Sequence, residues 1–420
     1  MTAMVDIAET KKTAAVIVVA VLLYGVVAGI RATTGVFTTE IANVTGLTYG
    51  AVSGIFAVRN LVFGLSTPFI GLLTQKIPMK YIMAGGAALV AIGLIGAACT
   101  LTYVPMFIFL GIFLGLGAGT LCYSMVYAAV SPFLGKKNGA ICAGILGASQ
   151  GAFNIIIAPF IGIFGSTAPG LIICLVVLGS IVASLVPISI FFWKGKEREG
   201  RYSELSAVKL SNSFLAPLKY MAKRPYFLLL VAVEIAYGLC DGLMVNHLYE
   251  RTQIMFSVSP DSAGYLVVAY GISIMIGPII GGLVAAGIKN LRLGIVGVFG
   301  IWLGASLLFS ILPWNQFLGA LLVIIMGLSI GMVTPIIALL TQEKSPAALF
   351  GAIFPFIGTF VYLSYSFDSY LGGLWFDQFG NFNISVLITH LVCVLVIVLF
   401  LIVALKERKN RHRVTSEESP

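Results

Sequence analysis

The chain has 420 residues, of which 59% are hydrophobic and only 10% are charged, and its net charge is +9. Soluble domains carry about a quarter charged residues, so this composition excludes a soluble enzyme, a disordered protein and a nucleic-acid-binding domain. A lipid bilayer must surround most of the chain, and its continuous apolar runs favour helices over the alternating strands of a membrane β-barrel.

Twelve apolar runs follow one another along the chain, and each is long enough for the roughly 20 residues of a membrane-spanning helix. The sequence therefore predicts an all-α integral membrane protein with twelve transmembrane helices, which we number spans 1 to 12. Their predicted bounds are 13–40, 49–73, 81–102, 104–133, 139–164, 168–193, 226–249, 262–287, 291–312, 315–341, 349–373 and 384–405.

A long polar segment between spans 6 and 7 divides the spans into two sets of six. The segment is rich in basic residues, as cytoplasmic loops of membrane proteins are. We expect an N-terminal six-helix bundle over residues 1–193, a cytoplasmic linker over 194–225, a C-terminal six-helix bundle over 226–405 and a cytoplasmic tail over 406–420.

The distribution of basic residues predicts the orientation of the chain. All 25 Lys and Arg except Arg31, Arg59 and Arg251 fall in segments that share one side of the membrane. Because Lys and Arg are enriched in cytoplasmic loops, we expect both termini in the cytoplasm and the protein in the cytoplasmic (inner) membrane.

The two halves carry the same motifs at nearly the same spacing. Tyr24-Gly25-x3-Gly29 in span 1 recurs as Tyr237-Gly238-x3-Gly242 in span 7, and Gly115-x3-Gly119 in span 4 recurs as Gly327-x3-Gly331 in span 10. Glycines at this spacing let membrane helices approach closely. Parallel halves with an even number of spans are typical of secondary transporters, so the repeat predicts two pseudo-symmetric six-helix bundles.

Several further motifs resemble those of one transporter family. They are Gly29-Ile30-Arg31-x3-Gly35-Val36-Phe37, Leu47-Thr48-x2-Ala51-Val52-Ser53, Gly115-x-Gly117-Ala118-Gly119, Asn138-Gly139-Ala140, His247-Leu248 and Phe376-Asp377-x2-Gly380. Together they are similar to the major facilitator superfamily, and within it to the bacterial monocarboxylate and oxalate/formate transporters. The resemblance implies the fold of that superfamily, a monomer, and a cavity lined by the helices that open each half. Transporters of this group tend to hold a basic residue in span 8 or span 11, and this chain has none there.

Charged groups inside a bilayer are costly and usually face protein or water. Arg31 lies deep in span 1, and its guanidinium fork matches a carboxylate in two hydrogen bonds. It is a candidate for binding an anionic substrate, or for a structural ion pair with Glu40 or an acid of span 7. Arg59, near the middle of span 2, is a candidate for a structural or gating pair with Asp368, or for a second substrate contact.

A polar stripe runs along span 7. Glu234, Tyr237 and Asp241 share one helical face, and a carboxylic acid that is buried without a cation binds a proton more readily. One acid is therefore a candidate proton carrier, and Asp241 is a candidate partner of Arg31 across the two bundles. Glu234 lies nearer the cytoplasmic end, where an inner vestibule is the alternative. His247 can titrate near neutral pH, or can be an interfacial histidine.

Phenols can hydrogen-bond a carboxylate while their rings shape a small pocket, although core packing is an equal alternative. The predicted substrate-binding residues are Arg31, Tyr24, Tyr123, Tyr127, Asn154, Tyr237, Tyr362 and Tyr365, and the predicted coupling or gating residues are Arg59, Glu234, Asp241, His247 and Asp368.

These residues predict a secondary transporter that moves a small organic anion, a monocarboxylate, by alternating access with proton coupling or exchange. An exporter of hydrophobic or cationic compounds is the first alternative, and a membrane sensor is the second. The sequence holds no phosphate-binding loop and no catalytic motif, so we expect neither an enzyme nor a cofactor. The six cysteines lie in apolar runs without metal-ligand spacing. The expected partners are the substrate, protons and lipid.

Overall fold

The computed structural model describes residues 2–47, 49–74, 76–134, 136–197, 216–288 and 290–417. Thr48, in one of the motifs above, and residues 198–215 of the predicted linker lie outside the described residues. In the described ranges the chain is helical apart from short connections. Such a chain satisfies its backbone hydrogen bonds internally, as a membrane requires.

The described residues of the first half form nine α-helices and two short helical segments of other types. They are α1 (Thr2–Ala32), α2 (Thr34–Thr45), α3 (Tyr49–Leu73), α4 (Met79–Cys99), α5 (Tyr103–Met106), a π-helical segment (Phe107–Phe113), α6 (Leu114–Thr120), α7 (Tyr123–Val130), a 3-10 turn (Ser131–Phe133), α8 (Lys136–Phe164) and α9 (Ala168–Glu197).

The described residues of the second half form a short helix and seven longer ones. They are α10 (Ala216–Ala222), α11 (Tyr226–Phe256), α12 (Pro260–Gly287), α13 (Leu291–Ile311), α14 (Gln316–Gly331), α15 (Val333–Lys344), α16 (Ala347–Phe379) and α17 (Asn383–Glu417).

Among the described residues, twelve helical segments are long and apolar enough to cross a membrane, which confirms the predicted number of spans. Their bounds are Ala14–Ala32, Gly54–Leu73, Met79–Cys99, Tyr103–Phe133, Lys137–Phe164, Ala168–Phe191, Tyr226–Val245, Ser262–Gly287, Leu291–Ile311, Gln316–Lys344, Leu349–Asp368 and Asn383–Ala404.

Three predicted spans are interrupted. Span 1 is broken at Thr33, which has φ −84° and ψ 17° and whose hydroxyl donates to the Ile30 carbonyl at 2.7 Å. Spans 4 and 10 break just after the second glycine of the recurring pair, between α6 and α7 and between α14 and α15. In span 10, Pro335 cannot donate a hydrogen bond to the Gly331 carbonyl, which weakens the helix at that turn.

The recurring glycines of spans 4 and 10 have the same packing role in each half. A Cβ atom at Gly115 would lie 2.8 Å from the Arg59 carbonyl oxygen of α3. A Cβ atom at Gly327 would lie 2.7 Å from the Cβ atom of Ser273 on α12. Both glycines therefore allow two helices to pack backbone against backbone, as the small-residue pattern predicted.

The contacts divide the chain into two compact units. The first comprises Met1–Met221 and Lys344–Thr359, and the second comprises Ala222–Glu343 and Phe360–Pro420. The first turns of α16 thus pack with the first unit, and the rest of this helix packs with the second. The bundle and linker bounds expected from the sequence stay a prediction, since most of the linker lies outside the described residues.

Candidate substrate and coupling site

In the first unit, Arg31 and Tyr24 meet at a single oxygen atom. The Tyr24 hydroxyl donates a hydrogen bond to Gln150 Oε1 at 3.0 Å, and the Arg31 guanidinium donates to the same atom at 3.5 Å. The guanidinium also lies over the Phe63 ring, 4.6 Å from its centroid. Arg31 is half-buried, so an aromatic ring and an amide hold the cation while part of it stays exposed.

Two glycines of α1 allow this arrangement. A Cβ atom at Gly25 would lie 2.8 Å from Ser149 Oγ, and one at Gly29 would lie 2.6 Å from the Cβ atom of Phe153. The Tyr-Gly-x3-Gly motif therefore brings α1 against α8, the helix that carries Gln150. Asn154 follows one turn after Gln150, and its buried Oδ1 has no hydrogen-bond partner among the described residues.

Tyr123 and Tyr127 belong to an aromatic cluster of the first unit. Their rings are parallel with centroids 6.2 Å apart, and Tyr123 also meets the edge of Tyr24 at 5.8 Å. Phe350 and Phe354, from the first turns of α16, contact Tyr127 at 6.2 and 6.0 Å. Tyr127 is fully buried, and the Tyr123 hydroxyl donates to the Ala143 carbonyl at 3.2 Å. In this arrangement both tyrosines are core residues.

Arg59 is buried in apolar surroundings. It is 2% exposed, donates a hydrogen bond to Asn60 Oδ1 at 2.9 Å and lies 5.0 Å from the Phe56 ring centroid. The narrow hollow beside it is otherwise lined by apolar side chains, including Ile30 and Phe37. These contacts favour a structural or gating role for Arg59 over direct substrate contact.

The polar stripe predicted on span 7 lies on α11 in the second unit. Asp241 Oδ1 accepts a hydrogen bond from the Tyr270 hydroxyl at 2.9 Å. Glu234 is 4% exposed, and within its unit no described residue forms an ion pair or hydrogen bond with its side chain. Tyr237 is half-buried between the two acids.

His247 and Asp368 form another polar contact of this unit. His247 Nε2 lies 3.7 Å from Asp368 Oδ2 and 3.3 Å from the Asp368 carbonyl oxygen. The imidazole stacks on Phe382 with ring centroids 4.6 Å apart. Both residues are buried, so α11 and α16 share a histidine–aspartate contact inside the unit, which is an ion pair only when the imidazole is protonated.

Tyr362 and Tyr365 are half-buried on α16, in the turns before Asp368. The predicted pairs Arg31–Asp241 and Arg59–Asp368 join residues of different units, so they stay predictions. The alternative Arg31–Glu40 pair is not formed, since Glu40 makes no ion pair with described residues and its Oε2 is buried without a hydrogen-bond partner there.

Sequence reasoning missed Tyr270, the partner of Asp241, and Phe382, the ring beneath His247. Both lie in or beside apolar runs where an aromatic residue gives no signal, because the pattern is the same whether the ring faces lipid or protein.

The comparison with known proteins identifies the family. The sequence profile of the Major Facilitator Superfamily matches residues 18–367, and the chain belongs to this superfamily. It is therefore a multi-pass membrane protein of a family of secondary transporters that work by alternating access. No curated protein matches the chain.

Solved structures share the fold at low sequence identity. FucP, a Major Facilitator Superfamily transporter solved in the outward conformation, is 13% identical with a TM-score of 0.73, over 91% of this chain and 97% of that one. A second structure, of the E. coli fucose:proton symporter FucP, is 14% identical with a TM-score of 0.70, over 92% and 97%. The proton:xylose symporter XylE is 14% identical with a TM-score of 0.69, over 93% and 95%.

Proposed function

We propose that this chain transports a small organic anion, a monocarboxylate, across the cytoplasmic membrane, with both termini in the cytoplasm. The observation that carries the proposal is the Arg31 site, where a half-buried guanidinium is held by Phe63 and Gln150. A partly desolvated guanidinium attracts a carboxylate more strongly than it does in water, because desolvation strengthens the charge-assisted hydrogen bonds.

The neighbouring groups suit a small anion. The Tyr24 hydroxyl and the Gln150 amide are polar groups beside the cation, and Asn154 lies one turn further along α8. A carboxylate that displaced Gln150 Oε1 from the guanidinium would gain two parallel hydrogen bonds in place of one long one. Arg31, Tyr24 and Asn154 are therefore the residues we assign to the substrate.

Coupling to protons is the second part of the proposal. The structures of similar fold include proteins named as proton symporters of fucose and xylose, and the described residues of the second unit include three buried or half-buried acids. Glu234, Asp241 and Asp368 are groups that can carry a proton through a conformational cycle. The proposed transporter works as a monomer, with substrate, protons and lipid as its partners.

An exporter of lipophilic cations is the competing function, because Glu234 has no partner among the described residues of its unit. In that case the acids of α11 would bind substrate and Arg31 would be structural. A neutral sugar, as the names of FucP and XylE indicate for those proteins, is a third possible substrate.

A thermal-shift screen of the purified protein separates these functions, since a ligand that binds only the folded state raises the melting temperature. Short monocarboxylates, lipophilic cations, fucose and xylose are the probes. We expect carboxylates to stabilise the wild type and not the Arg31→Ala variant. Stabilisation by cations alone, or by sugars alone, would contradict the anion proposal.

A further inference from the structure

The second unit contains a histidine–aspartate pair that the substrate site does not use. His247 and Asp368 come from helices α11 and α16, more than one hundred residues apart in the chain. His247 lies in the last turn of predicted span 7 (226–249), and Asp368 lies in the last two turns of predicted span 11 (349–373). We therefore expect the pair near the same end of both spans.

The hydrogen bonding of His247 indicates which ring nitrogen carries a proton. The Asp368 carbonyl oxygen can only accept a hydrogen bond, so Nε2, at 3.3 Å, must donate. The Asp368 carboxylate oxygen lies 3.7 Å from the same nitrogen, too far for a strong hydrogen bond. A small shift of either side chain would therefore move the hydrogen bond of His247 Nε2 from the carbonyl oxygen of Asp368 to its carboxylate.

Glycines make room for this pair on both helices. A Cβ atom at Gly242 of α11 would lie 3.0 Å from Asp368 Oδ2, and a Cβ atom at Gly372 of α16 would collide with His247 Nε2. Phe382 covers the other face of the imidazole. The two glycines therefore leave space on both helices for the Asp368 carboxylate and the His247 imidazole.

Charge balance gives the pair two states. With a neutral imidazole and an ionised Asp368, the buried pair has a net charge of minus one. With one further proton it becomes an imidazolium beside a carboxylate, or a neutral imidazole beside a carboxylic acid, and the net charge is zero. Burial disfavours uncompensated charge. Proton binding is therefore favoured while the pair is shielded from water, and proton release is favoured when water reaches the pair.

The other titratable groups near the pair are already engaged or are thiols. On α11, Asp241 accepts from Tyr270, and Arg251, one turn beyond His247, donates to Ser310 at 2.7 Å. The Cys240 thiol, which lies near Asp241 and Asp368, contacts Cys393 of α17 with the sulfur atoms 3.3 Å apart. Among the described residues of α11, the charged groups closest in sequence to His247 are Asp241 and Arg251.

We propose that His247 and Asp368 together bind the proton that drives transport. The pair takes one proton from the side of the membrane at which both spans end, which is the outer side in the predicted orientation, and gives it to water on the other side after the conformational change. No covalent bond other than that to the proton forms or breaks. This inference rests on the proposed transport function and assigns its coupling site.

The test compares two kinds of transport in liposomes that contain the purified protein. The first is accumulation of a radiolabelled short monocarboxylate driven by a pH gradient, and the second is exchange of that compound at equal pH on both sides. The Asp368→Asn and His247→Gln variants should lose accumulation down to the level of protein-free liposomes while they retain exchange. The His390→Gln variant is the matched control, because His390 is a histidine of the same unit whose Nε2 is hydrogen-bonded to Ser306 at 2.9 Å, and it should retain both.

The outcomes separate this inference from the proposed function. Normal gradient-driven accumulation by both variants overturns the coupling site, and so does a wild type that exchanges substrate but ignores the pH gradient. A wild type that transports a sugar or a cation in place of a carboxylate overturns the anion proposal, and the coupling test is then run with that substrate. If Asp368→Asn does not fold, the test depends on His247→Gln. The Asp368→Glu variant, which keeps a carboxylate, should then accumulate substrate as the wild type does.

Discussion

Tyr24 and Arg31 donate hydrogen bonds to the same atom, Gln150 Oε1, at 3.0 and 3.5 Å. They lie two turns apart on α1, and a single amide on α8 joins them. This shared acceptor holds a cation and a phenol next to each other in the first unit. Because of this arrangement, we expect Arg31 and Tyr24 to act as one substrate site.

The role of Arg31 can be tested with two variants that separate its positive charge from its hydrogen-bonding geometry. Arg31→Lys keeps the positive charge but removes the planar fork, and Arg31→Ala removes both. A charged hydrogen bond contributes about 1.5–3 kcal/mol, so the alanine variant should bind a monocarboxylate roughly ten- to hundredfold more weakly. We expect the lysine variant to fall between it and the wild type in equilibrium binding.

The control for the Arg31 variants is Lys219→Ala, which removes an exposed cation of α10 and should leave the affinity for a monocarboxylate unchanged. Equal affinity in the wild type and in both Arg31 variants would exclude an anion contact at this position.

Tyr24 should contribute less than Arg31. Tyr24→Phe removes the hydroxyl that donates to Gln150 but keeps the buried ring. A neutral hydrogen bond is worth about 1 kcal/mol, so carboxylate affinity should fall by roughly fivefold. Tyr81→Phe, which alters an exposed phenol of α4, should leave the affinity unchanged. A loss as large as that of Arg31→Ala would show that Tyr24 itself is the main ligand of the anion.

Tyr127 distinguishes core packing from substrate contact. It is fully buried against Phe350 and Phe354, and replacing a large buried aromatic residue by alanine typically costs about 3–5 kcal/mol. Tyr127→Ala should therefore lower the melting temperature strongly, whereas Tyr127→Phe, which keeps the ring, should bind substrate as the wild type does. A Tyr127→Phe variant with normal melting and lost affinity would instead place its hydroxyl on the substrate.

The recurring glycines predict matched effects in the two halves. Gly115→Val and Gly327→Val each force a side chain against a neighbouring helix, and overpacking costs typically about 1–3 kcal/mol. Each variant should melt several degrees lower in detergent. Gly300→Ala is the control, because a Cβ atom at this position of α13 meets nothing within 4 Å, and alanine favours a helix. Unchanged melting of both valine variants would contradict the close packing of these helices.

The spans and the repeat could be predicted from the sequence because they depend on local composition. Twenty apolar residues must form a helix in lipid, and glycines four residues apart mark a packing face whatever they pack against. The breaks at Thr33 and after Gly331 were harder to predict, because helix interruptions depend on contacts with other helices as well as on local residues. Apolar residues resume shortly after both breaks, so hydropathy averaged over a whole span does not show them.

The side-chain partners could be predicted only in part. Arg31, Asp241, His247 and Asp368 stand out because charge is rare in these spans. Their partners Gln150 and Tyr270 depend on how each helix is rotated about its axis, and a helix that is apolar on every face leaves that rotation open. The contact between His247 and Asp368 also depends on the close approach at Gly372, which two distant segments create together.

The substrate-binding role of Arg31 is tested most directly by uptake of a radiolabelled monocarboxylate into liposomes that contain the wild type or Arg31→Ala. We expect saturable uptake by the wild type, competition by other short carboxylates, and, at low substrate concentration, uptake roughly ten- to hundredfold lower for the variant. Competition by lipophilic cations or sugars in place of carboxylates, or undiminished uptake by Arg31→Ala, would contradict the central claim that Arg31 binds an anionic substrate.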